Sequence, residues 1–258
     1  MIDEDSGKVL IGKNALKKTY PASTTKIPTF LLALKKFDDL EAEVCIPAVV
    51  AHDSLMGIEE GEKLKIIDLL YGLMLPSGND AAEALAILAS GSIKDFAKEM
   101  NEYAKEIGCS KATHFVNPHG LFSSKHTTCA YDMALITKKA MQNRLFNKIV
   151  GTTVYTCTTD KKELKLQNTN LLIHRKPGKR DRRYVYATGV KTGKTGKGYS
   201  LVSSATKNNV NLIQVYFNST DDFGTGIGKA HRFVDSKALF EFAFENYHDL
   251  RKAPVIID

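Results

Sequence analysis

From Leu64 to Gln142 the chain is written almost entirely in helical periodicity, and on both sides of that stretch it is written in strand. Inside it, "KIIDLLYGLML" is one amphipathic segment, ended by "PSGN". "DAAEALAILAS" starts the next, with Asp80 and Glu83 placed as a capping pair. "SIKDFAKEMNEYAKEIGC" and "TTCAYDMALITKKAMQN" add two more helices, separated by the turn-rich "FVNPHGLFSSKH". Ahead of this block, residues 2–11 predict a hairpin turning at "DEDSG". "STTKIPTFLLALKKF" then predicts a helix with an apolar stripe through Ile27, Phe30, Leu31 and Leu34. A proline is tolerated only in a first turn, so Pro28 places the start of that helix at about Ser23 or Thr24. Behind the block, strands are expected over 149–158 and 200–217, the second stretch folded on an Asn-Asn turn, and "SKALFEFAFENYHDL" closes the chain as a helix. Strand, then helices, then strand and helix leaves few folds. The expectation is α+β: an antiparallel sheet made from both chain ends, flanked by helices, with a helical subdomain inserted. At 258 residues this is one domain, 1–258, with a sheet subdomain of about 1–45 and 145–258 and a helical subdomain of about 46–144.

Near the last strands lies "TGVKTGKTGKGYS", whose glycines and lysines suggest a phosphate cradle. The P-loop pattern needs a glycine five positions before Gly193-Lys194-Thr195, and Thr188 stands there. A P-loop must also open a helix, whereas a strand, turn and strand follow here. Phosphate binding is therefore set aside, and Lys191-Thr192-Gly193 is read as the lead into a strand.

The formal charge of +7 permits anionic partners, and "HRKPGKRDRR" is the densest basic patch. No interleaved aromatics or nucleic-acid motif accompany it, so it is read as a solvated loop and no nucleic acid is expected as a partner. No apolar run reaches the ~18 residues of a membrane span, so no membrane segment is expected in this chain. No signal peptide is present either; the opening "MIDEDSGKVLIG" reads as a fold already under way, so a removed leader is expected. Cys45, Cys109, Cys129 and Cys157 are widely spaced and form no C-x-x-C pair, which argues against zinc; free, mostly buried thiols are expected, with one disulfide the alternative in an exported protein. The histidines offer no metal spacing, and neither metal nor cofactor is expected.

Ser23-Thr24-Thr25-Lys26 puts a hydroxyl and an amine three residues apart on one helical face. Serine is a poor nucleophile without a base, and lysine becomes one only when its pKa falls from about 10.4 toward neutrality. Desolvation and a second cation nearby would both lower it. Ser77-Gly78-Asn79 sits in a helix break, where a loop projects side chains into a cleft. At Gly193 the missing side chain lets a substrate backbone come close. S-x-x-K, S-D-N and K-T-G in that order are the signature of penicillin-binding proteins and class A β-lactamases, and Gly78 replaces the usual aspartate.

With these motifs the chain resembles the D-alanyl-D-alanine carboxypeptidases, the low-molecular-mass penicillin-binding proteins. "YPASTTKIPTFLLAL", "LLYGLMLPSGNDAAEALA", "FVNPHGLF", "NTNLL" and "GVKTGKTGKGYSLVSSA" follow that family's patterns in order, and "DEDSGKVLIGKNA" precedes them. The resemblance implies the β-lactamase/penicillin-binding-protein transpeptidase-like fold and a serine-type hydrolase acting outside the cytoplasm on peptidoglycan. Ser23 would attack the bond between the two D-alanines of a stem peptide, Lys26 would take its proton, and Ser77 would pass a proton to the leaving amine. Asn79 would hold the substrate amide, and Lys191, Thr192 and, in "HRFVDSKALFEFAF", Arg232 would meet the terminal carboxylate. Gly193 would line the cleft, and the backbone N–H groups of Ser23 and Lys194 would form the oxyanion hole. β-Lactams would acylate Ser23 as substrate mimics. Arg232 reads equally well as a surface arginine, Asn117–Gly120 as a structural turn, Asn168 and Asn170 as braces of a loop, and Tyr199 as packing at the cleft edge.

Three rival readings stand beside this one. A class A-like β-lactamase needs a deacylating glutamate, and the nearest fragment, Glu163 in "KELKLQN", lacks the expected context. A transpeptidase of this superfamily is expected to carry large extra domains, which are missing. A catalytically inactive protein of the same fold would not be expected to keep all three motifs intact. The family's β-rich module and membrane-binding helix would follow "APVIID", where the chain reads as cut at a linker.

Overall fold

The computed structural model describes residues 1–175, 181–196, 198–220 and 231–253. The centre of the basic stretch, 176–180, and the end of "APVIID", 254–258, lie outside them. In chain order the elements are β1 (Ile2–Asp3), a 3₁₀ turn (Ala22–Thr25) running into α1 (Lys26–Lys36), β2 (Glu43–Cys45), β3 (Lys63–Lys65), α2 (Ile66–Met74), α3 (Asn79–Ser90), α4 (Ile93–Ile107), α5 (Ala130–Met141) and α6 (Arg144–Gly151). There follow β4 (Val154–Thr158), β5 (Glu163–Gln167), β6 (Ala187–Thr195), β7 (Gly198–Lys207), β8 (Val210–Ser219), α7 (His231–Glu245) and α8 (Tyr247–Lys252). A four-stranded antiparallel sheet in the order β1-β8-β7-β6 joins the two ends of the chain, as expected.

Strand residues alternate between the two faces of a sheet. Val202 and Ile213 accordingly face the main core, while Leu201, Ala205 and Leu212 pack on Phe233, Phe240 and Ala243 of α7. The sheet thus lies between α7 and the inserted helices. α1 runs through the middle of the latter: every residue from Lys26 to Ala33 is buried, so the expected one-sided stripe is a helix buried all round. Phe30 meets Phe146 edge-on at 5.0 Å. Asn208 and Asn209 both have positive φ, as a two-residue hairpin turn between β7 and β8 requires.

Four local expectations need correction. The opening hairpin shrinks to the two residues of β1 and an Ile2–Val9 bridge. The strand expected from 149 begins only at Val154, because Asn143 caps α6 through Leu145 N and Phe146 N and the helix buries Phe146, Ile149 and Val150 on one face. Packing overrides the β-branched composition there. Lys191-Thr192-Gly193 does not precede a strand but lies within β6. The terminal helix begins at His231 and is interrupted between Glu245 and Tyr247, giving α7 and α8. All four cysteines are free, and Cys45 is exposed. No helix of the described residues is long and apolar enough to cross a membrane.

Candidate active site

A 3₁₀ helix has three residues per turn, so side chains at i and i+3 eclipse. The 3₁₀ turn therefore brings Ser23 and Lys26 into line where it meets α1, and Lys26 Nζ lies 3.4 Å from Ser23 Oγ. Pro28 falls in the first turn of α1, as the sequence required. Ser23 is half-buried while its neighbours from Pro21 to Thr25 are buried, so its hydroxyl is the accessible point of the turn.

Lys26 is fully buried. Its Nζ donates to Asn79 Oδ1 at 2.6 Å and to the His119 carbonyl at 2.9 Å. A neutral amine has two hydrogens and one lone pair. With both hydrogens spent on these acceptors, the lone pair is left for the third neighbour, Ser23 Oγ. Burial holds the Lys26 pKa well below its ordinary value, and the Lys191 ammonium lowers it further against an opposing pull from Asp80. Burial alone pushes Lys191 down to about 7. Its Nζ donates to the Thr192 carbonyl at 3.1 Å.

Ser77 occupies the break between α2 and α3 with a positive φ of 68°, and its Oγ is buried without a hydrogen-bond partner among the described residues. Gly78 has no room for a side chain: a Cβ there would stand 2.8 Å from Asp80 Oδ1 and 2.9 Å from the Gly72 carbonyl. An aspartate at this position would collide with its surroundings as they stand. Asn79 opens α3 and is tied on its other side, Nδ2 donating to the His52 carbonyl at 2.7 Å. The expected capping pair does not form. Asp80 instead accepts from the backbone N–H groups of Met56, Gly57 and Ile58, and Glu83 from those of Val50 and Ala51. The two carboxylates pin the 50–58 segment that carries His52 against Asn79. Glu83 also meets His119 Nε2 at 3.2 Å, while His119 Nδ1 accepts the Leu121 N–H.

β6 packs along the 3₁₀ turn, and Gly193 is the point of closest approach: a Cβ there would stand 3.3 Å from Ser23 N and 3.1 Å from Ala22 Cβ. Thr192 shares a 2.6 Å hydroxyl contact with Thr169, a residue the motif reading passed over although it sits inside "NTNLL". Asn168, beside it, braces the loop by donating to the carbonyls of Val150 and Thr152. Lys194 and Arg232 meet around Tyr199. The Lys194 ammonium lies 5.9 Å from the ring centre, and the buried Arg232 guanidinium 4.5 Å from it and 4.5 Å from the Phe233 ring centre. Thus Ser23, Lys26 and Asn79 are joined by direct contact, Lys191 acts on Lys26 through charge, and Arg232 with Lys194 forms a second group about Tyr199. Glu163 is exposed on β5, paired with Thr158. A cavity of about 840 Å³ along α4 holds none of these residues.

Two buried lysines with lowered pKa values have a consequence for stability. The unfolded chain binds their protons up to about pH 10.4, whereas folded Lys191 releases its own near 7. Wherever the unfolded state binds more protons, stability rises with pH. Below pH 7 Lys191 is protonated in both states and its own contribution to the dependence vanishes. The Cys109 and Cys157 thiols, pushed up to about 12 by burial, work in the opposite sense above about pH 8.5. Between pH 7 and about 8.5, Lys191 should therefore contribute about 2 kcal/mol of added stability. Melting curves at pH 7.0 and 8.5 are expected to show a rise of about 4 °C or more, and a smaller one in Lys191→Met. A fall in Tm, or an unchanged rise in the variant, would contradict this account of Lys191.

The family model of the D-alanyl-D-alanine carboxypeptidases, peptidase S11, matches residues 1–221. The chain is 37% identical over 98% of its length to D-alanyl-D-alanine carboxypeptidase DacF of Bacillus subtilis and 32% identical over 95% to DacC of Escherichia coli. It spans 63% and 60% of those two proteins, or about three fifths of the relatives' length. Among solved structures, a D-alanyl-D-alanine carboxypeptidase of Mycobacterium tuberculosis superposes with a TM-score of 0.82 at 29% identity, covering 95% of this chain and 89% of that one. The Streptomyces K15 DD-transpeptidase superposes with a TM-score of 0.81 at 29% identity, covering 95% of both chains. The last match sets a DD-transpeptidase of similar extent against the expectation that a transpeptidase of this superfamily usually carries large extra domains.

Proposed function

Since the chain belongs to the peptidase S11 family of D-alanyl-D-alanine carboxypeptidases, we propose that it removes the terminal D-alanine from peptidoglycan stem pentapeptides through an acyl-enzyme on Ser23. The observation that carries this reading is Lys26 Nζ, buried, lowered in pKa by that burial and by Lys191, held by Asn79 and His119, and 3.4 Å from Ser23 Oγ. The Ser23 oxygen attacks the carbonyl carbon of the penultimate D-alanine while its proton passes to Lys26 Nζ. Such a base contributes about 10²–10⁴ in rate. The developing oxyanion lies between the backbone N–H groups of Ser23 and Lys194, each such donor being worth about 10²–10³. Ser77 Oγ, buried and unpartnered, relays a proton to the departing D-alanine nitrogen as the C–N bond breaks. Asn79 holds the substrate amide. Lys191, Thr192 and Arg232 receive the terminal carboxylate, Thr169 fixing the Thr192 hydroxyl. Gly193 lets the substrate backbone lie against β6. Water, giving its proton to Lys26, then hydrolyses the ester and frees the shortened peptide. A substrate in the cell wall places the enzyme outside the cytoplasm, and β-lactams would acylate the same serine.

A second reading, transfer of the acyl group to an amine, is favoured by the match to the Streptomyces transpeptidase over 95% of both chains. One experiment separates the readings. The protein is mixed with benzylpenicillin and its intact mass followed, the adduct is mapped to a peptide, and products are analysed from a pentapeptide ending in D-Ala-D-Ala, with and without glycylglycine. A lasting adduct on Ser23 and D-alanine release with water as acceptor are expected. A glycylglycine-capped product as the main species would favour the transpeptidase. Rapid penicillin loss with no adduct would favour a β-lactamase, and neither adduct nor turnover would sink the catalytic reading.

A further inference from the structure

Ala22, the residue before the nucleophile, is buried and has a φ of +52°. A left-handed alanine costs about 1–2 kcal/mol, so the surroundings must hold it there. Its carbonyl oxygen accepts the Thr25 hydroxyl proton at 2.8 Å. The same hydroxyl oxygen lies 2.8 Å from His126 Nε2. His126 Nδ1 in turn accepts the Val116 N–H at 3.1 Å. A ring nitrogen that accepts a backbone N–H carries no proton, so the hydrogen of the neutral ring sits on Nε2 and is donated to Thr25 Oγ1. The hydroxyl's own hydrogen is then directed at Ala22 O. The chain has one direction: Val116 N–H to His126, His126 to Thr25, Thr25 to Ala22. Thr25 and His126 are buried, and neither belongs to the residues proposed above to touch substrate.

The Ala22 carbonyl and the Ser23 N–H belong to a single planar peptide unit and point in opposite directions. Fixing the oxygen therefore aims the N–H. We propose that His126 and Thr25 are positioning residues that clamp the Ala22 carbonyl and thereby orient the Ser23 N–H as an oxyanion-hole donor. The inference rests on the reading of Ser23 as nucleophile, and it adds a role for one side chain at an unspecified position of S-x-x-K, Thr25, and for one outside the three motifs, His126. A donor worth about 10²–10³ when aimed loses much of that when its peptide plane is free to tilt.

The test is the acylation of Ser23 by benzylpenicillin over a range of concentrations, resolved into the limiting rate and the half-saturating concentration, and counted per molecule able to accept the adduct. Thr25→Val keeps the side-chain shape and removes the hydroxyl; its limiting rate is expected to fall about 10- to 100-fold with the half-saturating concentration unchanged. Thr25→Ser, which restores the donor, is expected within about threefold of wild type. Leaving His126 Nε2 unpaired costs stability, so the double variant Thr25→Val with His126→Phe replaces both partners by apolar groups of similar shape and should show the same rate loss in a folded protein. A Thr25→Val or double-variant rate within about twofold of wild type, a change in half-saturation alone, or no rescue by serine would overturn the clamp. Wild-type protein that takes no adduct on Ser23 would overturn the nucleophile reading, and the clamp with it; an undiminished variant rate beside normal wild-type acylation overturns the clamp alone.

Discussion

Lys26→Arg is expected to acylate with benzylpenicillin about 10³-fold more slowly than the wild type, although a basic side chain is retained. The two side chains are separated by one property. The lysine pKa is lowered by burial and by Lys191, so the amine can present a lone pair to the Ser23 proton. A guanidinium stays protonated in proteins and has no lone pair to offer. Were Lys26 needed only as positive charge, arginine would preserve the rate and Lys26→Met would lose it. As a general base, both variants fail by similar amounts. Methionine fills nearly the same volume without burying a charge, and so guards against a fold disrupted by the larger arginine. Stopped-flow acylation with a fluorescent penicillin, alongside thermal melts, reads the result. A Lys26→Arg rate within tenfold of wild type would remove Lys26 from the base role.

The sequence showed the reacting groups of this site and hid what holds them. Ser23, Lys26 and Asn79 were visible because their chemistry is written in short motifs, and their side chains meet at 2.6–3.4 Å. Hidden were the contributions of the backbone: the His119 and His52 carbonyls that seat Lys26 and Asn79 carry no residue-type signal. Asp80 and Glu83 had the spacing of a helix cap, but the loop at 50–58 offered unpaired N–H groups, and the carboxylates went to those. Thr25 and His126 lie 101 residues apart, and their contact exists only once the 3₁₀ turn of Ala22–Thr25 meets the segment that leads into the Thr127 bridge. The architecture was easier, because a helical block between two β regions admits few solutions. Its errors fell where local composition competes with packing, as at 149–151, where α6 claims β-branched residues for the core. Alternation and periodicity report faces. They do not report which of two buried faces a short element finally fills.

Gly120→Ala is expected to destabilise the protein by about 3 kcal/mol or more and to reduce acylation of whatever folds by about 100-fold. Gly120 has a φ of +88°, and a Cβ there would lie 1.9 Å from the Ala22 oxygen, 2.4 Å from its carbonyl carbon and 2.9 Å from Thr25 Oγ1. The first two are backbone atoms, which cannot swing aside as the end of a flexible side chain would. The loop cannot retreat freely either. Asn117 Oδ1 accepts the Gly120 N–H at 2.7 Å, Asn117 Nδ2 donates to the Leu121 carbonyl, and the neighbouring His119 carbonyl holds Lys26. Backing away would release the base; pressing in would turn the Ala22 peptide that carries the Ser23 N–H. The strain of a left-handed alanine can be separated from the collision. Gly61 also has a positive φ, 78°, but among the described residues nothing stands within 4 Å of its Cβ position, so Gly61→Ala should cost only about 1–2 kcal/mol and leave acylation intact. Urea unfolding and acylation rates of the two variants side by side give the comparison. Equal costs would mean that the turn before Ser23 yields easily, and that the close approach of the 117–121 loop contributes nothing to aiming the nucleophile. A large excess at Gly120, with the rate lost alongside, would mean that this loop is the wall against which the peptide before Ser23 is held.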